Sequence, residues 1–113
     1  MIQIEKVVRD YLMAELSTPV YLDLPEVPPA SYVLIERTGG SMLDQIWRAT
    51  FAFQAIAPRL FDASTLCDSV VTAMLHICDS LDISAATLSA GPYNFTDPDR
   101  KEHRYQAVFE LTY

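Results

Sequence analysis

The sequence predicts an α+β fold, a two-layer sandwich in which two helices cover one face of a mostly antiparallel sheet of about five strands. Two segments repeat apolar residues every three or four positions, which is typical of amphipathic helices. Other segments alternate apolar and polar residues, which is typical of strands with one buried face. The elements follow in the order α-β-β-β-α-β-β over 113 residues, and this length indicates a single domain, residues 1–113.

The N-terminal segment predicts the first helix, because Ile4, Val8 and Leu12 recur at helical spacing. The helix is expected to end before Pro19, since a residue that precedes proline is pushed out of the helical region. A short strand over residues 20–23 follows, and the prolines after it predict an exposed loop.

Two strands are predicted next, over residues 31–38 and 45–57. Gly39 and Gly40 are expected to end the first of these strands in a tight or mobile loop. In the second strand, Trp47 and other apolar residues occupy the odd positions, which predicts that they face the core.

The second helix is predicted to begin at Asp62, whose carboxylate is expected to cap it. Phe61 and Leu66 are expected to contact each other across this helix start as a hydrophobic staple. The apolar face of the helix is expected to run to about Ser80.

The last two strands are predicted over residues 86–95 and 105–113. The first of them contains a break at Gly91-Pro92, and the second alternates apolar and polar residues more regularly than any other segment. A turn at residues 97–99 joins them.

Charge and hydropathy exclude several classes of partner. Eight basic side chains stand against 15 acidic ones, so the chain carries a net charge of −7, and we expect no sequence-specific binding to nucleic acid. The longest uncharged apolar stretches, residues 49–58 and 69–78, are shorter than a bilayer span, so we expect no contact with a membrane. The first ten residues do not resemble a secretory signal, so we expect a cytoplasmic protein.

A search for catalytic motifs yields no phosphate-binding glycine loop, nucleophile elbow or zinc-binding helix. We therefore expect no enzyme activity, catalytic residue, metal or cofactor. His76 and Asp79 favour a surface hydrogen bond over a catalytic base. Asp97, Asp99 and Glu102 favour a solvated turn over a calcium site, because the spaced ligand pattern of such sites is missing.

Cys67 and Cys78 are eleven residues apart in one helical pattern, which places them about 16 Å apart along the helix axis. This distance excludes a disulfide between them. We expect both thiols to act as small buried apolar groups, with a redox or metal-binding role as the alternative.

Two helices can cover one face of a five-stranded sheet, so the other face and two edges are expected to be left over. Edge strands with unpaired backbone groups recruit other chains. Because half of the residues are hydrophobic, we favour a subunit contact surface over a face that is simply solvated. The side chains predicted on this face are Arg48, Thr50, Gln54, Arg104, Gln106, Glu110 and Thr112.

Three stretches support a family resemblance: Glu36-Arg37-Thr38-Gly39-Gly40, the strand segment 45–50, and the helix start near residues 62–64. In these stretches, and in size, acidity and element order, the chain resembles the tail terminator proteins of long-tailed bacteriophages and prophages. These are also described as tail-completion or head-to-tail joining proteins. The resemblance covers nearly the whole chain.

The resemblance implies a subunit that assembles into a ring, typically a hexamer, on the last ring of the tail tube. Its partners would be the tail tube protein and the head connector or completion protein. It would lie in the virion at the head-side end of the tail, and in the host cytoplasm during assembly. By this analogy the contact sites are the loop 39–44, the turn 97–102 and the strand edges. The individual candidates are Glu36, Arg37, Gly39, Gly40, Asp44, Arg48, Asp97, Asp99, Arg100, Lys101, Arg104 and Glu110.

Two alternatives remain open at this point. A head-completion or minor tail protein of the same region would share the size and fold class. A small ligand-binding or adaptor α+β domain would instead use a pocket between the helix layer and the sheet, or an acidic surface directed at a basic partner.

Overall fold

The computed structural model describes residues 3–79, 83–99 and 102–113. It confirms the α+β fold, with two α-helices and a five-stranded mixed sheet. The elements are α1 (Ile4–Glu15), β1 (Val20–Tyr21), β2 (Tyr32–Leu43), β3 (Ile46–Ala57), α2 (Leu60–Leu75), β4 (Ala85–Asn94) and β5 (His103–Thr112), with a 3₁₀ turn, Ile77–Asp79, after α2.

The strands lie in the order β1-β2-β3-β5-β4. The short strand β1 runs parallel to β2, and the other neighbours are antiparallel. β2 and β3 each have 12 residues and are longer than the other described strands. At about 3.3 Å per residue they extend for about 40 Å, which accounts for the elongated outline of 45 × 25 × 24 Å.

The core lies between the two helices and one face of the sheet. Phe51 and Phe53 of β3 and Phe109 of β5 are fully buried at its centre. The rings of Phe53 and Phe109 meet edge to face with 5.9 Å between centroids, a favoured aromatic geometry. α2 packs on β3, β4 and β5, and α1 packs on β1 and β2 beside it. The buried residues of the helices are Ile4, Val8 and Leu12 of α1 and Ala63, Cys67, Val70 and Met74 of α2.

Gly39 and Gly40 do not end the second strand, so this part of the prediction was wrong. Gly39 lies opposite Thr50 and Gly40 opposite Ala49, so both glycines are paired within the sheet. The register shifts between Arg37 and Gly39, which marks a β-bulge. Glycine suits a bulge as well as a turn, and the two roles leave the same signal in a sequence.

The chain reverses at Asp44 and Gln45 instead, directly after β2 ends at Leu43. Both residues have positive φ angles, 50° and 64°, the conformation of a tight two-residue hairpin turn. The predicted mobile loop over residues 39–44 is therefore a strand followed by the first residue of this turn.

The start of the second helix also differs from its prediction. α2 begins at Leu60, so Asp62 lies inside the first turn rather than at the cap. Phe61 is 78% exposed, which excludes a staple contact. A carboxylate near a helix N-terminus is favoured by the helix dipole in either position, so the sequence signal cannot distinguish them. α2 ends at Leu75, and the predicted end at Ser80 lies outside the described residues.

The segment Leu60–Asp79 is long and apolar enough to cross a membrane, judged by length and composition alone. In this fold one side of it packs on the sheet, and Cys67, Val70 and Met74 have no exposed surface. Core helices pass the same test, so one such helix is weak evidence for a membrane span.

β4 is irregular near Gly91, where its register against β5 shifts between Ala90 and Tyr93. Gly91 has a φ of 86°, in the left-handed region that favours glycine. A Cβ atom at this position would lie 2.5 Å from the carbonyl oxygen of Gln106. The close approach of β4 to β5 therefore depends on a glycine here.

Replacing Gly91 with alanine is expected to lower the free energy of unfolding by about 1–3 kcal/mol, because both the φ angle and the space oppose a side chain. Gly39→Ala is the matched control, since a Cβ at Gly39 would meet Thr50 at an ordinary 3.9 Å. Urea unfolding of both variants measures the difference, and equal losses would contradict the explanation.

Candidate functional site

The last eight residues of β2, the turn and the first three residues of β3 form an exposed stretch of the hairpin, residues 36–48, which we call the arm. Every residue of this arm is exposed, whereas the rest of β3 is largely buried. The arm begins near the first turn of α1, where Glu5 contacts Arg37. On the neighbouring strand the core extends to Ala49, which lies opposite Gly40, so the tip is the part of the arm that lies beyond the core.

The tip of the arm carries four large apolar side chains. Met42 lies opposite Trp47, and Leu43 opposite Ile46. Because successive strand residues point to opposite faces, each face of the tip presents one of these pairs. The side chains are 53%, 41%, 64% and 45% exposed for Met42, Trp47, Leu43 and Ile46 respectively. Single exposed apolar residues are common on protein surfaces, and a cluster of them makes the tip a candidate interaction surface.

Sequence reasoning missed this cluster. The odd-position pattern predicted that Trp47 faces the core, and it does lie on the helix side of the sheet, but beyond the helices. The sequence does contain a signal for the cluster, because an apolar pair precedes Asp44 and another follows Gln45. Adjacent apolar residues in a hairpin point to both faces, so one residue of each pair must face away from the core.

Arg37 anchors the arm to the helix layer. Its Nη1 donates to the Glu5 carboxylate at 2.9 Å, and its Nε donates to the carbonyl oxygen of Gly39 at 3.3 Å. The hydrogen bond to Glu5 raises the pKa of Arg37 above its ordinary value. A Cβ at Gly40 would lie 2.5 Å from the guanidinium, so glycine there leaves the path open for the Arg37 side chain.

The face of the sheet opposite the helices contains a row of hydrogen-bonded polar side chains, and Tyr32 and Ile56 are fully buried on the same face. Gln54 donates through Nε2 to Oε1 of Gln106 at 3.0 Å, and Gln106 donates to the Tyr93 hydroxyl. Gln54 and Gln106 are only 5% and 8% exposed. Both lie on the face predicted from the sequence, but they serve as buried partners of each other rather than as contact groups.

Replacing Gln54 or Gln106 alone with leucine is expected to cost about 1–3 kcal/mol of stability, because the remaining amide is left buried without its partner. The double variant is expected to lose less than the sum of the two single losses, since no orphaned amide remains. Equilibrium unfolding of the four proteins measures the coupling, and strictly additive losses would refute it.

The other predicted contact residues divide between the two ends of the sheet. Glu36, Asp44 and Arg48 lie on the arm. Glu110 pairs with Thr50 near the start of the arm. Arg104 lies at the opposite end, next to where β3 ends and β5 begins, which we call the base end.

The acidic turn also lies near the base end. The Asp99 amide donates to Oδ1 of Asp97 at 3.0 Å, which gives the side-chain-stabilised turn that the sequence predicts. Arg100 and Lys101 lie outside the described residues, so their predicted role in contacts stays a prediction.

A groove of about 670 Å³ separates α1 from α2. The Tyr11 hydroxyl in its wall donates to the carbonyl oxygen of Ala73 at 2.7 Å. Ser69 and Thr72 donate to backbone carbonyls one turn earlier in α2. The Tyr11 bond joins the two helices, whereas the Ser69 and Thr72 bonds lie within α2, so all three hydroxyls already have partners. A second pocket of about 420 Å³, lined by Glu5 of α1, the chain at residues 22–24 and residues 34–37 of β2, does lie between a helix and the sheet, where the ligand-binding alternative expected one.

The pair of His76 and Asp79, which follows α2, is solvated. Nδ1 of His76 lies 3.3 Å from Oδ2 of Asp79, and the two side chains are 68% and 77% exposed. An ion pair of this kind contributes little to stability. Within the part of the chain that the structure describes, no group of three or more His, Cys, Asp or Glu is placed to hold a metal ion.

Cys67 is fully buried, and Cys78 is partly buried. Burial raises the pKa of the Cys67 thiol to about 12. The thiol therefore stays protonated and unreactive at neutral pH, as expected of a small buried apolar group.

The free energy of unfolding is expected to fall as pH rises above about 9. The unfolded thiol of Cys67 loses its proton near 9.0, whereas the folded thiol keeps it to about 12. The unfolded state thus binds fewer protons in this window, which removes up to about 1.4 kcal/mol per pH unit. Cys67→Ala is expected to flatten this dependence of the free energy of unfolding on pH. Tyr11, whose pKa is also raised, is present in both proteins, so its contribution is the same in each. Parallel slopes in urea unfolding between pH 8 and 11 would contradict this assignment.

Comparison with models of known protein families finds none that matches the chain. Comparison with curated proteins finds no significant match. The surface geometry of the arm and the base end therefore carries the functional inference.

Proposed function

We propose that this chain is a structural protein of phage assembly, a tail terminator. Copies of it join into a closed ring, a hexamer, that caps the tail tube and presents the surface to which the head attaches. The observation that carries the proposal is the hairpin arm, whose apolar tip is exposed on both faces. A subunit that works as a member of an assembly needs such a surface, since exposed apolar clusters become buried against a partner.

The edges of the sheet support contacts on the same side of the molecule. β1 pairs with Val33 and Leu34 of β2. Beyond Leu34 the outer edge of β2 meets no further strand within residues 3–79, 83–99 and 102–113. The other edge, β4, is interrupted at Gly91 and Pro92, and such irregularities blunt an edge against pairing. Unpaired backbone is therefore most available along the arm.

The charge of the chain suits a ring that surrounds passing DNA. A net charge of −7 per subunit repels a polyanion, so DNA would slide through the ring without binding to it. In this proposal the partners are the tail tube protein and the head connector or completion protein. The site of action is the head-side end of the tail, reached after assembly in the host cytoplasm, and the function needs no catalytic residue, metal or cofactor.

Electron microscopy tests the proposal directly. Purified protein added to growing tail tubes of the phage or prophage that encodes it is expected to stop their elongation and to appear as a sixfold ring at the head-side end. Tubes assembled without it are expected to grow past their normal length. Rings on the head portal would identify a head-completion protein, and density along the tube or at its far end would identify a minor tail protein. Tubes of unchanged length would overturn the proposal.

A further inference from the structure

The apolar tip of the arm has a counterpart at the other end of the molecule. Leu60 and Phe61, at the start of α2, are 41% and 78% exposed. Like the pairs Met42-Leu43 and Ile46-Trp47 at the tip, they are adjacent large apolar residues with exposed side chains. Adjacent exposed apolar pairs within the described residues thus occur at the two ends of the sheet.

The sheet register places Leu60 and Phe61 at the base end. β3 ends at Ala57, which pairs with His103 at the start of β5, and α2 begins three residues later. The tip lies at the opposite end of the same strand. Because the molecule is 45 Å long, the two surfaces cannot meet within one chain, but they can meet between copies.

The charge distribution favours contact between the arm and another copy of this chain. Arg37 and Arg48 balance Glu36 and Asp44, so the arm is neutral, whereas the whole chain carries −7. Two copies of an acidic protein repel each other, and the arm is the part that approaches a second copy with least repulsion.

We propose that the tip of one copy docks on the base end of a second copy, so that Met42, Leu43, Ile46 and Trp47 pack against Leu60 and Phe61. This inference rests on the proposed function, for which it supplies the subunit contact. Contact between two unlike surfaces is heterologous, so each copy offers one tip and receives one, and the series closes into a ring when the rotation permits.

Sedimentation over a concentration series tests the contact with single substitutions. Leu43→Asp at the tip and Phe61→Asp at the base end are each expected to raise the dissociation constant at least about tenfold. Val27→Asp is the matched control, because Val27 is 86% exposed in a loop and the change in charge is the same. It is expected to associate like the natural chain. Phe61→Asp places a carboxylate in the first turn of α2, where the helix dipole favours it, and thermal melting checks that all three variants fold.

Mixing the two interface variants separates this contact from a symmetric one. Leu43→Asp retains a base end and Phe61→Asp retains a tip, so the mixture is expected to form a one-to-one dimer that does not grow. Association of Phe61→Asp alone would indicate a tip-to-tip contact and overturn the proposal. A natural chain that stays monomeric up to millimolar concentration would also overturn the proposal.

The outcomes also separate this inference from the proposed function. A monomeric protein that still caps tail tubes would refute the tip-to-base contact and leave the terminator function standing. Tip-to-base association in a protein that leaves tube length unchanged would support the contact and refute the terminator function.

Discussion

The structure depends on a mismatch in length between its strands and its helices. A residue advances the chain by about 3.3 Å in a strand and by about 1.5 Å in a helix. The 12 residues of β3 therefore extend about twice as far as the 12 residues of α1, and α2, with 16 residues, does not make up the difference. The helices bury one half of the long hairpin and leave the other half exposed. The core and the arm are consequences of the same geometric constraint.

Most of the fold is predictable because its periodic signals are local. The spacing of Ile4, Val8 and Leu12 predicts α1, and the alternation in β3 and β5 predicts strands with one apolar face, all of which the structure contains. The errors arise where one residue type serves two structures. Gly39 and Gly40 fit a turn or a bulge, and only the pairing with β3 decides between them. That pairing depends on contacts distant in sequence, which local reasoning does not include.

The candidate site was predictable in part for a similar reason. Arg37 and Arg48, chosen from the sequence as contact candidates, do lie on the arm, but Leu43 and Ile46 were not chosen. Periodicity identifies an apolar residue and the face to which it points, but not whether anything covers that face. Cover depends on how far each helix reaches along the sheet, and this is set by the loops that place the helices. Gln54 is the opposite case. It is a polar residue on the face opposite the helices, and yet its neighbours bury it.

The ion pair at Arg37 is sensitive to the ionic strength of its surroundings. The bond between Arg37 and Glu5 joins the first turn of α1 to the start of the arm, and both side chains are about one-third exposed. Dissolved ions weaken a pair this accessible, whereas they leave apolar packing intact or strengthen it. Raising ionic strength is therefore expected to loosen the contact between α1 and the start of the arm, while the apolar side chains at the tip are left unchanged.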